Sequence, residues 1–162
     1  MGHDGGGGTS DQHRQLAVDA NNSAWELLDG RELSADDADD LLQRAYAAAY
    51  HWRRATGTTD VNAARASWLT SRAHVVLGHG ELALHHAERC GVSVEQAGEA
   101  AEDFDHGFFH EARARALASL GRFDEARSEY DAAVAVEIGD DEDRSIFQSD
   151  LSSDPWFGLD RT

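Results

Sequence analysis

Apolar residues recur along most of this chain at intervals of three and four, the spacing that lines one face of a helix. Over residues 11–28, Leu16, Ala20, Ala24 and Leu27 share such a face, with Trp25 beside them, and Asp29-Gly30 ends the run. A second run carries Leu41, Leu42, Ala45, Ala49 and Trp52 on one side. Ser34 is suited to cap its start, Asp36 and Asp37 suit the positive end of the helix dipole, Arg53 and Arg54 suit the negative end, and Gly57 stops it. Thr59 or Asp60 is expected to cap a third helix that reaches residue 77 and is closed by Gly78. A fourth is expected over residues 81–90, closed by Gly91, and residues 92–104 read equally as a short helix or a loop. Further helices are predicted over residues 105–120, ended by Gly121, over 123–136 and over 141–151. No β-branched run alternates with polar residues, so strands are not expected. The predicted fold class is all-α, with about six to seven helices in residues 11–152. A Gly-rich, disordered segment is expected over residues 1–10, and a tail over 153–162 holds Pro155, Trp156, Phe157 and Leu159.

Two segments share a finer pattern. The stronger is Ala114-x-x-Leu117-x-x-Leu120-Gly121-x-Phe123-x-x-Ala126-x-x-x-Tyr130-x-x-Ala133. The weaker is His74-x-x-Leu77-Gly78-x-x-x-x-Ala83-x-x-x-Ala87-x-x-Cys90, which lacks the aromatic that matches Tyr130. The pattern resembles the tetratricopeptide repeat (TPR), in which small residues let two antiparallel helices approach and a glycine makes the tight turn between them. Gly78 and Gly121 stand 43 residues apart. A standard repeat is about 34 residues long, so roughly nine are inserted, and residues 92–104 have room for them. The first two helices match the consensus less well and are expected to stack as a divergent cap. The segments Tyr50-His51-Trp52, Ala83-Leu84-His85-His86-Ala87-Glu88-Arg89-Cys90, Asp103-Phe104-Asp105 and Pro155-Trp156-Phe157-Gly158 are also similar to those of a family of short bacterial TPR-like proteins. That likeness spans residues 20–160 and implies a TPR-like array of antiparallel helical hairpins, without implying a chemistry.

Charge narrows the partner class. Acids number 31 against 14 bases, every base is Arg, and the formal net charge is -17. A field of that sign repels nucleic acid and anionic membranes, so neither is expected as a partner. A lone cysteine, Cys90, excludes an internal disulfide framework and fits a reducing cytoplasm. The opening Met1-Gly2-His3-Asp4-Gly5 has no basic stretch followed by an apolar core, so no secretory signal is expected. No apolar run approaches the roughly 20 residues of a spanning helix.

Candidate chemistry lies in three places. With the turn glycines in register, the groove-lining positions of a TPR-like array fall on Arg65, Trp68 and Arg72 in one repeat and on Phe108, Glu111 and Arg115 in the next. Spacings of three, four and seven put each trio on one face, and Arg beside an aromatic suits a partner peptide bearing a carboxylate. The TPR carboxylate clamp has Lys and Asn at such positions, a departure that argues against that particular partner class. The competing expectation is that these arginines pair with internal acids and that Trp68 is core. Next, His86 and Cys90 share a helix face and, with His51 from a neighbouring helix, offer imidazole and thiolate ligands to zinc or a similar divalent metal. The bland alternative is a buried neutral imidazole and a small buried thiol, with no cofactor. Finally, His74, His79, His85, His106 and His110 lie among acids that would raise their pKa values. No phosphate loop, nucleophile elbow or HExxH sequence is present, so no catalytic residue is assigned. The reading is a module that binds a protein or peptide on a concave helical face. The aromatic tail is expected either to dock on its own array or to fill the groove of a second copy, making a homodimer.

Overall fold

The structure, a computed structural model, describes residues 6–30 and 32–162. Seven α-helices follow one another, α1 (Gly6–Leu28), α2 (Ala35–Trp52), α3 (Asp60–Val76), α4 (Gly80–Ala97), α5 (Asp103–Ser119), α6 (Phe123–Val134) and α7 (Asp141–Ser152), and no strand occurs among the described residues. The fold is an all-α array of helical hairpins, α1 with α2, α3 with α4 and α5 with α6. Helix α3 also packs on α1, α2 and α5, while α7 lies on α5.

The turns follow from local chemistry. Ser34 and Asp37 make a reciprocal capping box at the start of α2, and Thr59 with Asn62 makes another at the start of α3. The reversals at Gly78 and Gly121 are built alike. The Gly78 N–H donates to the Val75 carbonyl (3.0 Å) and the His79 N–H to the His74 carbonyl (2.9 Å). The Gly121 N–H donates to the Ala118 carbonyl (3.0 Å) and the Arg122 N–H to the Leu117 carbonyl (2.9 Å). Each pair is a Schellman closure, and φ of +76° at Gly78 and +72° at Gly121 is the left-handed conformation that favours glycine. His79 and Arg122, which follow, also share a backbone conformation, with φ/ψ of -87°/67° and -86°/63°. Behind these turns the facing helices meet through Ala73, Ala83 and Ala87 in one hairpin and Ala114, Ala118, Ala126 and Ala133 in the next, all buried.

Three boundaries differ from expectation. Helix α1 begins at Gly6, ahead of residue 11; of the disordered segment expected over residues 1–10, residues 1–5 lie outside the described residues. Gly91 lies inside α4 and does not close it. A Cβ there would stand 2.4 Å from the Phe109 ring, so this glycine serves the close approach of α5 rather than a chain reversal. Residues 92–104 accordingly become the end of α4, a single 3-10 turn at Gly98–Ala100 and the start of α5.

Apolar side chains gather in two main clusters. One joins the first four helices around Leu27, Leu41, Leu69 and Trp68; the other joins α5, α6, α7 and the tail around Leu117, Phe147, Leu151 and Trp156. Phe108 packs against both.

Candidate functional site

The two trios read from the repeat register meet directly. Trp68 donates its indole N–H to Glu111 Oε2 (2.8 Å), and Arg72 Nη1 donates to Glu111 Oε1 (2.6 Å). Arg115 Nε donates to that same oxygen. Arg72 Nη2 continues to Asp150 Oδ1 (2.6 Å) and to Ser153 Oγ (3.3 Å) on α7 and beyond it. Arg115 donates to the backbone carbonyls of Ser153 (2.9 Å), Pro155 (2.9 Å) and Asp150 (2.7 Å). Two guanidiniums thus face two carboxylates across α3, α5 and α7, with Glu111 and Arg115 fully buried. Burial would raise the Glu111 carboxyl, but Arg115 and Arg72 outweigh it and hold its pKa below the usual range. Asp150 goes the other way: burial, and then the charge of Glu111, push it up to about 7. Its Oδ2 is buried with no hydrogen-bond partner among the described residues, and Arg115 Nη2 stands 3.7 Å from it.

The tail completes this network in cis. Trp156 lies over the Arg115 guanidinium at 4.0 Å, meets Tyr130 edge-on at 5.1 Å between centroids and donates its N–H to the Leu151 carbonyl (3.1 Å). A tight turn with positive φ at Phe157 and Gly158, closed by the Leu159 N–H on the Trp156 carbonyl (2.9 Å), turns both Trp156 and Leu159 inward. The chain's own acids therefore occupy the guanidinium fork expected for a partner's carboxylate. Arg65 follows the same pattern, donating to both oxygens of Asp105 (2.9 and 3.1 Å) and to Glu102 (2.9 Å). Trp68, 8% exposed, is part of the core.

Beside this network lies an open cleft of about 1270 Å³ between the C-terminal end of α1, the connection to α2, α3, α5 and α7. Arg65, Trp68, Arg72 and Phe108 line it, whereas Glu111 and Arg115 are not among its lining residues. The sequence pattern did not single out its apolar wall of Trp25, Leu28, Leu33 and Ile146. Trp25 stacks on Trp68 with 5.2 Å between centroids and a 25° interplanar angle, and Phe108 meets Trp68 edge-on at 5.2 Å. Trp25 stays 42% exposed and Ile146 55% exposed, so the cleft presents large apolar side chains to water. The available signal was Trp25 itself, a large aromatic at the polar margin of the α1 stripe. Ile146, in a helix whose first turn is acidic, gives a weaker one.

The proposed metal ligands are not brought together. His51 Nδ1 contacts His13 Nδ1 (2.7 Å). His86 Nε2 is hydrogen-bonded to the Tyr46 hydroxyl (3.2 Å), which also meets His74 Nε2 (2.9 Å). Cys90 is buried in the core of the first four helices, and burial, then Asp105 and Glu111, push its thiol up to about 12, which disfavours the thiolate a metal needs. Among the described residues no group of three or more His, Cys, Asp or Glu side chains gathers to hold a metal ion. The rise expected at His74 is corrected. Burial and the neighbouring His79 lower His74; burial and then His74, His85 and Arg89 lower His86 to about 4. His74 and His79 share a hydrogen bond (3.1 Å), so Tyr46, His74, His79 and His86 form one hydrogen-bonded network across α2, α3, the turn and α4.

Compared with protein families, with curated proteins and with solved structures, the chain matches none. No helix among the described residues is long and apolar enough to cross a membrane.

Proposed function

We propose that this chain is a TPR-like protein-interaction module of the cytoplasm that holds an apolar segment of a partner polypeptide in the cleft beside Trp68. The observation that carries the reading is the exposed apolar wall. Trp25 and Ile146 keep large hydrophobic surface in water inside a concavity of about 1270 Å³, larger than the roughly 300–1000 Å³ typical of small-ligand sites. The buried ion network beneath it fixes α3, α5 and α7, so the wall would be in place before a partner arrives, which limits the ordering penalty of association. The matched turns at Gly78 and Gly121 support the TPR-like part of the reading. The partner would sit over Trp25, Trp68, Phe108 and Ile146, while Arg65, Arg72, Glu111 and Arg115 hold the surface in shape.

Selection from a displayed library of random dodecapeptides tests this. Enriched peptides should slow hydrogen exchange at the end of α1 and in α7, and Trp25→Ala should abolish their binding. Binding that maps elsewhere, or that survives Trp25→Ala at full strength, would remove the cleft from consideration.

A further inference from the structure

The cleft as built selects the charge of its occupant, and this step rests on the proposed reading of the cleft as a peptide site. Its two cations among the described residues are already neutralised. Arg65 is held by Asp105 and Glu102, and Arg72 by Glu111 and Asp150. Among the cleft's acids, Asp29 and Glu32 at the α1–α2 connection and Asp154 beyond α7 are exposed and make no ion pair with any described residue. The apolar wall of Trp25, Trp68 and Ile146 therefore runs past unpaired carboxylates on two elements, in a chain whose net charge is -17. Among the described residues a partner carboxylate would meet no free guanidinium there and would face the carboxylates of the rim. A partner cation would gain partners at the rim while its apolar neighbours covered the tryptophans.

We infer that the occupant is an apolar polypeptide segment flanked by Arg or Lys, its aromatic or aliphatic side chains against Trp25 and Ile146 and its cations on Asp29, Glu32 and Asp154. This reverses the sign suggested by an Arg-rich groove stripe, because Arg65 and Arg72 belong to the scaffold and the free charges among the described residues of the cleft are acidic. Exposed pairs of this kind contribute modestly to affinity and more to association rate, and salt screens them over a Debye length of about 8 Å at physiological ionic strength. Arg flanks would also lay guanidinium planes on the exposed part of Trp25.

The same peptide selection separates the possibilities. Enriched peptides combining aromatic or aliphatic residues with Arg or Lys support the inference. Trp25-dependent peptides with neutral or acidic flanks overturn it while leaving the cleft in use. An absence of Trp25-dependent enrichment overturns both. For an enriched peptide, the triple variant Asp29→Asn/Glu32→Gln/Asp154→Asn should weaken binding roughly three- to tenfold at low salt and flatten its salt dependence. A control of equal charge, Glu81→Gln/Asp124→Asn/Glu137→Gln, alters exposed acids that do not line the cleft and should leave affinity within about twofold. Equal losses in the two triple variants would reduce the effect to net charge and overturn the assignment to the rim.

Discussion

The inner helix face has an open end and a sealed end, although the repeat register gives both the same design. At the open end Trp68 meets Trp25 and the cleft, and Trp25 remains partly in water. At the sealed end Arg115, the register equivalent of Arg72, lies under Trp156 and is spent on three backbone carbonyls of α7 and the tail. The difference comes from what the chain lays over each end. A guanidinium with several donors can act as a receptor for a partner or as a rivet for its own chain, and here the cis segment carrying Asp150, Pro155 and Trp156 takes the second use. Where no segment covers the face, apolar surface is left, and that is where a partner gains most.

Breaking the sealed end should have the largest effect. Glu111 accepts from Trp68, Arg72 and Arg115 at once, so Glu111→Gln leaves two buried guanidiniums with one carboxylate between them. Losing one member of such a buried group is expected to destabilise by roughly 3–5 kcal/mol, read as a shift in the urea midpoint at constant slope. A loss under about 1 kcal/mol would mean that the network does not fasten α3 to α5. Trp156→Ala removes a buried ring from Arg115 and Tyr130, and a change of this type costs about 3 kcal/mol. Hydrogen exchange should quicken in α7 and the tail and stay slow in α2 and α4; a uniform increase would show that the two ends are not separable.

The contrast between the two ends also marks what could be read from sequence. Turn glycines were legible because Gly78 and Gly121 adopt a conformation that penalises other residues, so the residue type reports the backbone. Gly91 misled for the opposite reason: its role is close packing against Phe109, a contact between residues distant in sequence that leaves the same letter. The trios Arg65-Trp68-Arg72 and Phe108-Glu111-Arg115 meet between α3 and α5, yet the partners Asp105, Asp150 and Pro155 are not written in the spacing that defines the trios. Which arginine is free is a property of those tertiary neighbours, so spacing alone could not decide it. The rise expected at His74 failed in the same way, since local acids are visible in sequence whereas burial and the contacts of His74 with His79 and His86 are not.

A smaller effect separates His86 from the carboxylates. With His86 lowered from 6.5 to about 4, the folded chain takes up a proton less readily than the unfolded one. Its contribution to stability is thus complete above pH 6.5 and lost as pH falls toward 4. Asp150, raised from 3.8 to about 7, acts oppositely: its contribution is present at low pH and lost as pH rises through 7. His86→Asn keeps a polar group near Tyr46 without a titrating proton, so the difference between wild type and variant isolates the imidazole. Wild type should lose about 1 kcal/mol more than the variant across that window, a figure reduced because the residue is only partly buried. Parallel pH profiles would remove His86 as a titrating group.

The smallest change in stability should come from the residue on which the open end depends most. Trp25 is 42% exposed, and its ring stacks on Trp68. An aromatic pair of this kind contributes about 0.5–1.5 kcal/mol, so Trp25→Ala should lower stability by roughly 1 kcal/mol and leave helicity intact. A scaffold residue would show the reverse, as Glu111 and Trp156 should, with large losses of stability and no direct contact with a ligand. If Trp25→Ala instead destabilised by about 3 kcal/mol or more, the ring would belong to the core, and the apolar wall would be a packing surface with no separate task.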